Sequence, residues 1–277
     1  MKQTFKIGVI TLAAGLVASV IAPTISPASA ASKKTLTVGI VGTSDAKLWQ
    51  EVAKTAKKKY GITLKTKVFT DYNTPNKALA DGSLDLNAFQ HYNFLNNWNK
   101  SNKNAVKAIG KTFITPIRLY ATDVKSVKNI KHGATIAVPN DPTNEGRALT
   151  LLQSAGLITL NKTELPTVKD IKENKKDLNI KEVAADQTPS ALKSEGAAVI
   201  NTNYAQDAKI KLSAAVYVEP VDKASEQWIN VIAVAKKNAN KKAYKDIVKA
   251  YQTKATKQYL KKTWGDAELP AWDIKLK

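Results

Sequence analysis

Only two arginines, Arg118 and Arg147, occur among the 43 basic residues of this 277-residue chain. Arginine grips a carboxylate through two parallel hydrogen bonds, where lysine offers a point charge. Arg147 closes the run Pro139-Asn140-Asp141-Pro142-Thr143-Asn144-Glu145-Gly146-Arg147. Gly133 to Val138, just before it, reads as a short buried strand. Ala148, Leu149, Leu151, Leu152 and Ala155 follow at helical spacing, and Gly156 supplies a stop. The nine residues are therefore a strand-to-helix turn, stiffened by Pro139 and Pro142, with Asn140, Asp141, Thr143 and Asn144 available as caps. That reading places Arg147 in the helix's first turn, beside unpaired backbone N–H groups. A cation is disfavoured there unless an anion joins it. A capped turn with a solvated arginine satisfies the same residues, so the stretch by itself leaves both open.

Other polar and aromatic clusters recur just after the ends of predicted strands. They are Tyr72, Phe89 to Phe94, and Asn201 to Tyr204. Arg147 and Asn144 suit a carboxylate. Asn201, Asn203 and Asn230 offer amide oxygens to an ammonium group, and Tyr72, Phe89, His91 and Phe94 offer rings to an apolar side chain. Each asparagine alone reads equally as a turn or cap, and each ring as core. Catalysis has little support: G-x-S-x-G, Walker and G-x-G-x-x-G motifs are all absent, and His91 has no nucleophile beside it in sequence. The chain has no cysteine and only two histidines, His91 and His132, so no metal or cofactor is expected.

The elements that must position these residues alternate between strand and helix. Leu36 to Gly42 reads as a strand and Trp49 to Tyr60 as an amphipathic helix ended by Gly61. Leu64 to Phe69 is a strand, Lys77 to Ala80 a short helix, and Leu84 to Phe89 a strand leading into a helix toward Trp98. This β-α-β-α-β order predicts a parallel α/β lobe. Ala105 to Thr122 reads as one or two strands limited by Pro116. A second α/β set starts near Val124, with strands at 180–184 and 197–200 and a short helix around 189–194. Ala214 to Val218 and Trp228 to Ala235 read as strands returning to the first lobe, and one Lys-rich helix from Lys241 to Trp264 closes the chain. The expected architecture is α/β, two lobes around a cleft: residues 31–122 and 216–277 in lobe 1, 123–215 in lobe 2. Ligands bind at strand carboxyl ends in open α/β sheets, so facing lobes would enclose a small molecule.

Lys2 and Lys6, the apolar run Ile7 to Ile21 and the ending Pro27-Ala28-Ser29-Ala30 form an export signal over residues 1–30, with cleavage expected after Ala30. With no cysteine to carry lipid, the mature chain is expected to be exported and not lipid-anchored. The formal charge is +20, carried almost wholly by lysine. Export, the absence of a nucleic-acid motif and the scarcity of arginine argue against nucleic acid. A basic surface attracted to anionic cell-wall polymers fits better.

The sequence resembles the methionine-binding, NlpA-type substrate-binding lipoproteins of bacterial ABC importers from Leu36 to about Trp264. The segments that carry the resemblance are Asp71-Tyr72 with Pro75 to Leu79, Asn87 to His91, Val138 to Asn144 with Gly146-Arg147, and Val199 to Thr202. It implies a two-lobed periplasmic-binding-protein-like fold that closes on methionine and presents it to a membrane permease. Arg147 would then hold the ligand carboxylate, and Asn144, Asn201 and Asn230 the amino-acid end. Tyr72, Phe89 and His91 would wall in the thioether. Phe94 and Trp228 stand where the family often has tyrosine, which leaves a methionine-containing dipeptide or another apolar amino acid open as ligand. A basic adhesion protein with a vestigial pocket is the alternative from another class.

Overall fold

The structure is a computed structural model that describes Met1 and residues 35–276. Apart from Met1, the expected signal segment and its cleavage site lie outside the described residues.

Two sheets carry the fold. The first is built from β1 (Thr35–Val41), β2 (Thr63–Phe69), β3 (Leu86–His91) and β4 (Val106–Ile114). The second begins with β5 (Arg118–Ala121) and β6 (Thr135–Pro139), followed by a small ribbon of β7 (Thr159–Leu160) and β8 (Ile171–Glu173). It is completed by β9 (Asn179–Val183), β10 (Ala197–Ile200) and β11 (Ala215–Val218). The chain then returns through β12 (Ile229–Ala235) and β13 (Leu269–Pro270). Strand order is β13-β4-β12-β3-β1-β2 in the first sheet and β11-β5-β10-β6-β9 in the second. Pairs β1–β2, β1–β3, β6–β9 and β6–β10 are parallel, and β12 runs antiparallel between β3 and β4.

Burial explains these strands. All seven residues of β12 are buried, and all but Asn230 are apolar, as a strand covered on both faces requires. Helices α1 (Ala46–Tyr60) and α2 (Thr74–Asp81) follow β1 and β2, and α3 (Tyr92–Ser101) follows β3. The stripe Leu48, Trp49, Val52 and Ala56 of α1 is buried, and Gly61 ends the helix in the left-handed conformation with φ 67°. In the second lobe α4 (Pro142–Ser154) follows β6, α5 (Thr188–Glu195) precedes β10 and α6 (Thr202–Asp207) follows it.

Three expectations change. β5 and β11 pair with each other in the second sheet, so the chain crosses between sheets at residues 115–117 and again from Glu219. Those crossings lie outside the expected 123–215 by several residues on each side. Pro116, which has no N–H to give a ladder, sits between β4 and β5 and marks the first crossing. The expected single C-terminal helix is two, α7 (Lys242–Tyr251) and α8 (Lys254–Trp264). Thr253 takes an extended conformation, and its hydroxyl caps the backbone N–H of Thr256 at 3.1 Å, starting a new helix. Lastly, α4 begins at Pro142, so Arg147 is a full turn inside it rather than at its open end.

Candidate functional site

The turn between β6 and α4 is built around one carboxylate. Asp141 is the N-cap of α4 and accepts from the Asn144 backbone N–H at 3.1 Å and the Thr143 hydroxyl at 2.9 Å. The Asn144 side-chain amide adds bonds of 3.1 and 2.9 Å to the two oxygens. Burial raises the Asp141 carboxyl above its usual range, and these donors oppose the rise. Asn144 Oδ1 in turn accepts from Asn201 Nδ2 at 2.8 Å and faces His91 Nε2 at 3.4 Å. Both ends of the Asn144 amide are thus engaged by protein, and the residue acts as a junction between α4, α6 and β3.

Arg147 is 3 % exposed and its fork is already filled. Nε and Nη2 donate to the two carboxylate oxygens of Glu219 at 2.8 and 2.5 Å, and Nη2 also donates to the Thr115 carbonyl at 2.9 Å. The internal anion answers the question the isolated turn left open, and it stands 72 residues away in sequence. Glu219 Oε2 also accepts from the Ile117 backbone N–H at 3.1 Å, so it ties together both crossings between the lobes. The Trp228 ring covers the guanidinium, with its centroid 4.6 Å from Cζ. Nη1 is left without a protein partner among the described residues.

The facing jaw comes from the first sheet. His91, the last residue of β3, caps α3: its Nδ1 accepts from the Phe94 backbone N–H at 3.0 Å. That bond fixes the neutral tautomer with the proton on Nε2, directed at Asn144. Burial, then the Arg147 charge, lower the His91 pKa to about 3, against a smaller opposing effect of the Asn144 bond. Tyr72, Phe89 and Phe94 pack as a ring box with centroids 5.7 to 6.0 Å apart. Behind them a closed amide network of Asn76, Asn87 and Gln90, with bonds of 2.7 to 2.9 Å, holds the start of α2 against β3. Those residues give two of the sequence segments singled out above a structural role, in bonding one another.

Between the jaws lies a cavity of about 30 Å³, partly open to solvent. Its lining includes Tyr72, Phe89, His91, Phe94, Asn144, Arg147, Asn201, Asn203 and Asn230. Trp228, expected on the wall, instead backs Arg147 and meets His91 edge-on at 5.0 Å. Gln90, Thr115, Ile117 and Thr202 also line the cavity; none was named as a site residue from the sequence, although Gln90 and Thr202 fall within the segments that carry the resemblance. Asn201 Oδ1 is buried and has no partner among the described residues, and the same holds for Thr115 Oγ1. Asn203 is engaged: its Oδ1 accepts from the Tyr72 hydroxyl at 2.6 Å.

The lobes are closed over this cavity. Besides Tyr72–Asn203, the Tyr204 hydroxyl donates to the Thr70 carbonyl at 3.1 Å and Gln206 Nε2 to Glu268 Oε1 at 2.9 Å. The Thr43 backbone N–H and hydroxyl both reach Asp207 at 3.0 Å. Gly42 permits that approach: its φ is 77°, and a Cβ there would lie 1.8 Å from Asp207 Oδ2.

Two α/β lobes joined by paired crossings and closed on a polar cavity define a periplasmic-binding-protein-like fold. The chain belongs to the NlpA lipoprotein family, whose model matches residues 36–272. It is 38 % identical to the D-methionine-binding lipoprotein MetQ of Escherichia coli, over 85 % of this chain and 88 % of that protein. Among solved structures it is similar to the substrate-binding protein of a methionine transporter from Streptococcus pneumoniae. Identity there is 44 % and the TM-score 0.81, covering 86 % of this chain and 96 % of that one. A nutrient-binding protein from Burkholderia cenocepacia, solved bound to methionine, is 40 % identical with a TM-score of 0.81, covering 85 % and 99 %.

Proposed function

We propose that this chain is the exported solute-binding component of an ABC importer, that it captures methionine in the interlobe cavity, and that it delivers it to a membrane permease without performing chemistry. The observation that carries the reading is the division of the cavity into a polar end and a ring box. Arg147 Nη1 is available to the ligand carboxylate, and the unpartnered Asn201 Oδ1, with Asn230, is available to the ammonium. Tyr72, Phe89 and Phe94 enclose the thioether, with His91 closing the wall at the Asn144 junction. Burying that side chain contributes roughly 1.5–3 kcal/mol, and sulfur–ring contacts add to it. Asn144 and Asn203 position their neighbours, since protein groups already occupy most of their hydrogen-bonding capacity. Export with cleavage after Ala30, and without a lipid-modified cysteine, belongs to the same reading and rests on the sequence.

The test is calorimetric titration with methionine of the wild type and of Arg147→Ala. Tight wild-type binding and a loss of at least a hundredfold in the variant are expected. An unaltered affinity in Arg147→Ala would overturn the assignment of the polar end.

A further inference from the structure

Arg147 reaches the cavity already paired with an internal carboxylate. Its guanidinium is buried, and the fork that would meet a ligand carboxylate squarely is held by Glu219 through two hydrogen bonds of 2.8 and 2.5 Å. Glu219 is itself fixed, because Oε2 also accepts from the Ile117 backbone N–H at 3.1 Å and its own N–H donates to the Ile117 carbonyl at 3.0 Å. The other arginine, Arg118, is not on the cavity wall; its Nη1 donates to the Pro116 carbonyl and the Thr202 hydroxyl. His91, the remaining titratable cation of the wall, is held neutral by its bond from the Phe94 N–H.

We propose that Glu219 sets the net charge of the ligand: by neutralising Arg147 within the protein, it makes the cavity select a zwitterion and refuse an anion with the same side chain. The proposal rests on the assignment of methionine's amino-acid end to Arg147 and Asn201. A ligand carboxylate that approaches Nη1 also approaches the Glu219 carboxylate, and buried charges are screened little. A zwitterion offsets that repulsion, because its ammonium is attracted by the same Glu219 charge and meets Asn201 Oδ1. An anion has no such compensation, and would be left as an unpaired buried charge. Glu219 therefore acts on selectivity, through Arg147, without being required to touch the ligand.

The experiment compares methionine with 4-(methylsulfanyl)butanoate, which keeps the thioether and carboxylate and lacks the amino group. Dissociation constants for both ligands are measured by calorimetry in the wild type, in Glu219→Gln and in Glu219→Asp. The wild type is expected to prefer methionine by at least a hundredfold. Glu219→Gln keeps the shape and removes the charge, and should narrow the preference at least tenfold. Glu219→Asp keeps the charge and should hold the preference within about threefold of wild type, even if both affinities fall. General damage to the fold weakens both ligands together and leaves the ratio unchanged, so an unchanged ratio in Glu219→Gln overturns the proposal. If that variant does not fold, Glu219→Met takes its place with the same criterion. A wild type that fails to bind methionine would instead refute the function on which the proposal rests.

Discussion

Asn144→Asp is the most discriminating single change in the site, because it alters two atoms' chemistry and almost no volume. In the wild type the Asn144 amide nitrogen lies 3.1 and 2.9 Å from the two oxygens of Asp141. In the variant that position holds a carboxylate oxygen. Two like charges about 3 Å apart at an effective dielectric of about 20 repel by about 5 kcal/mol. Taking up one shared proton is cheaper: a carboxyl with an unfolded-state pKa of about 3.9 is protonated at pH 7 for about 4 kcal/mol. The pair should therefore hold one proton between them, as two carboxylates sharing a site do. Because the folded-state pKa is raised, the variant keeps its stability below about pH 4 and loses it as pH rises, at about 1.4 kcal/mol per unit relative to wild type. The wild-type Asp141 is itself raised by burial, so the comparison is of differences between proteins at each pH. Urea denaturation at pH 5 and pH 7 should show the deficit of Asn144→Asp growing by about 2.5–3 kcal/mol between them. Asn144→Ala, which removes the donors without adding a charge, should lose about 1.5–3 kcal/mol with a much smaller pH trend. A deficit in Asn144→Asp that is the same at both pH values would refute the placement of this amide against Asp141.

Two further outcomes concern closure. Asp45 has its pKa raised to about 7, first by burial and then by Asp207 across the seam between the lobes. A group raised in the closed form favours closure while protonated and opposes it as pH rises through about 7, so methionine affinity should fall several-fold from pH 6 to pH 8. Asp45→Asn should flatten that profile in titrations across the range, and a slope unchanged in the variant would remove Asp45 as its source. Tyr72→Phe deletes the 2.6 Å bond to Asn203 between the lobes and leaves the ring box in place. Affinity should drop roughly fivefold, the worth of about 1 kcal/mol, with the urea midpoint nearly unchanged; a loss confined to the midpoint would make the bond structural only.

Much of this fold was legible because its signals are local. Period-2 and unbroken apolar runs marked the strands, the stripe of α1 with Gly61 marked a helix and its stop, and the strand-helix alternation implied parallel sheets. What escaped was set by partners distant in sequence. β5 is four residues long and could have paired with either sheet; only β10 and β11, its partners in space, decide. The break between α7 and α8 was missed because the Lys-rich apolar stripe continues past it, while one threonine hydroxyl serves as a cap.

The same distinction separates the two halves of the site. The ring box and the asparagines could be proposed from residue type at strand ends, since the topology brings all such ends to one cleft. Glu219 could not, because nothing local distinguishes it from the other acidic residues of the chain. Its importance exists only where the two crossings meet Arg147. An arginine buried one full turn inside a helix must have an anion, since an isolated buried charge is not tolerated. Had the sequence reading placed the start of α4 at Pro142, that requirement would have applied before any ligand was considered. An internal carboxylate is then required before a ligand's carboxylate can be a second partner. Glu219 is that internal carboxylate, and it is why the pocket's only wall-lining arginine does not by itself make the site a receptor for anions.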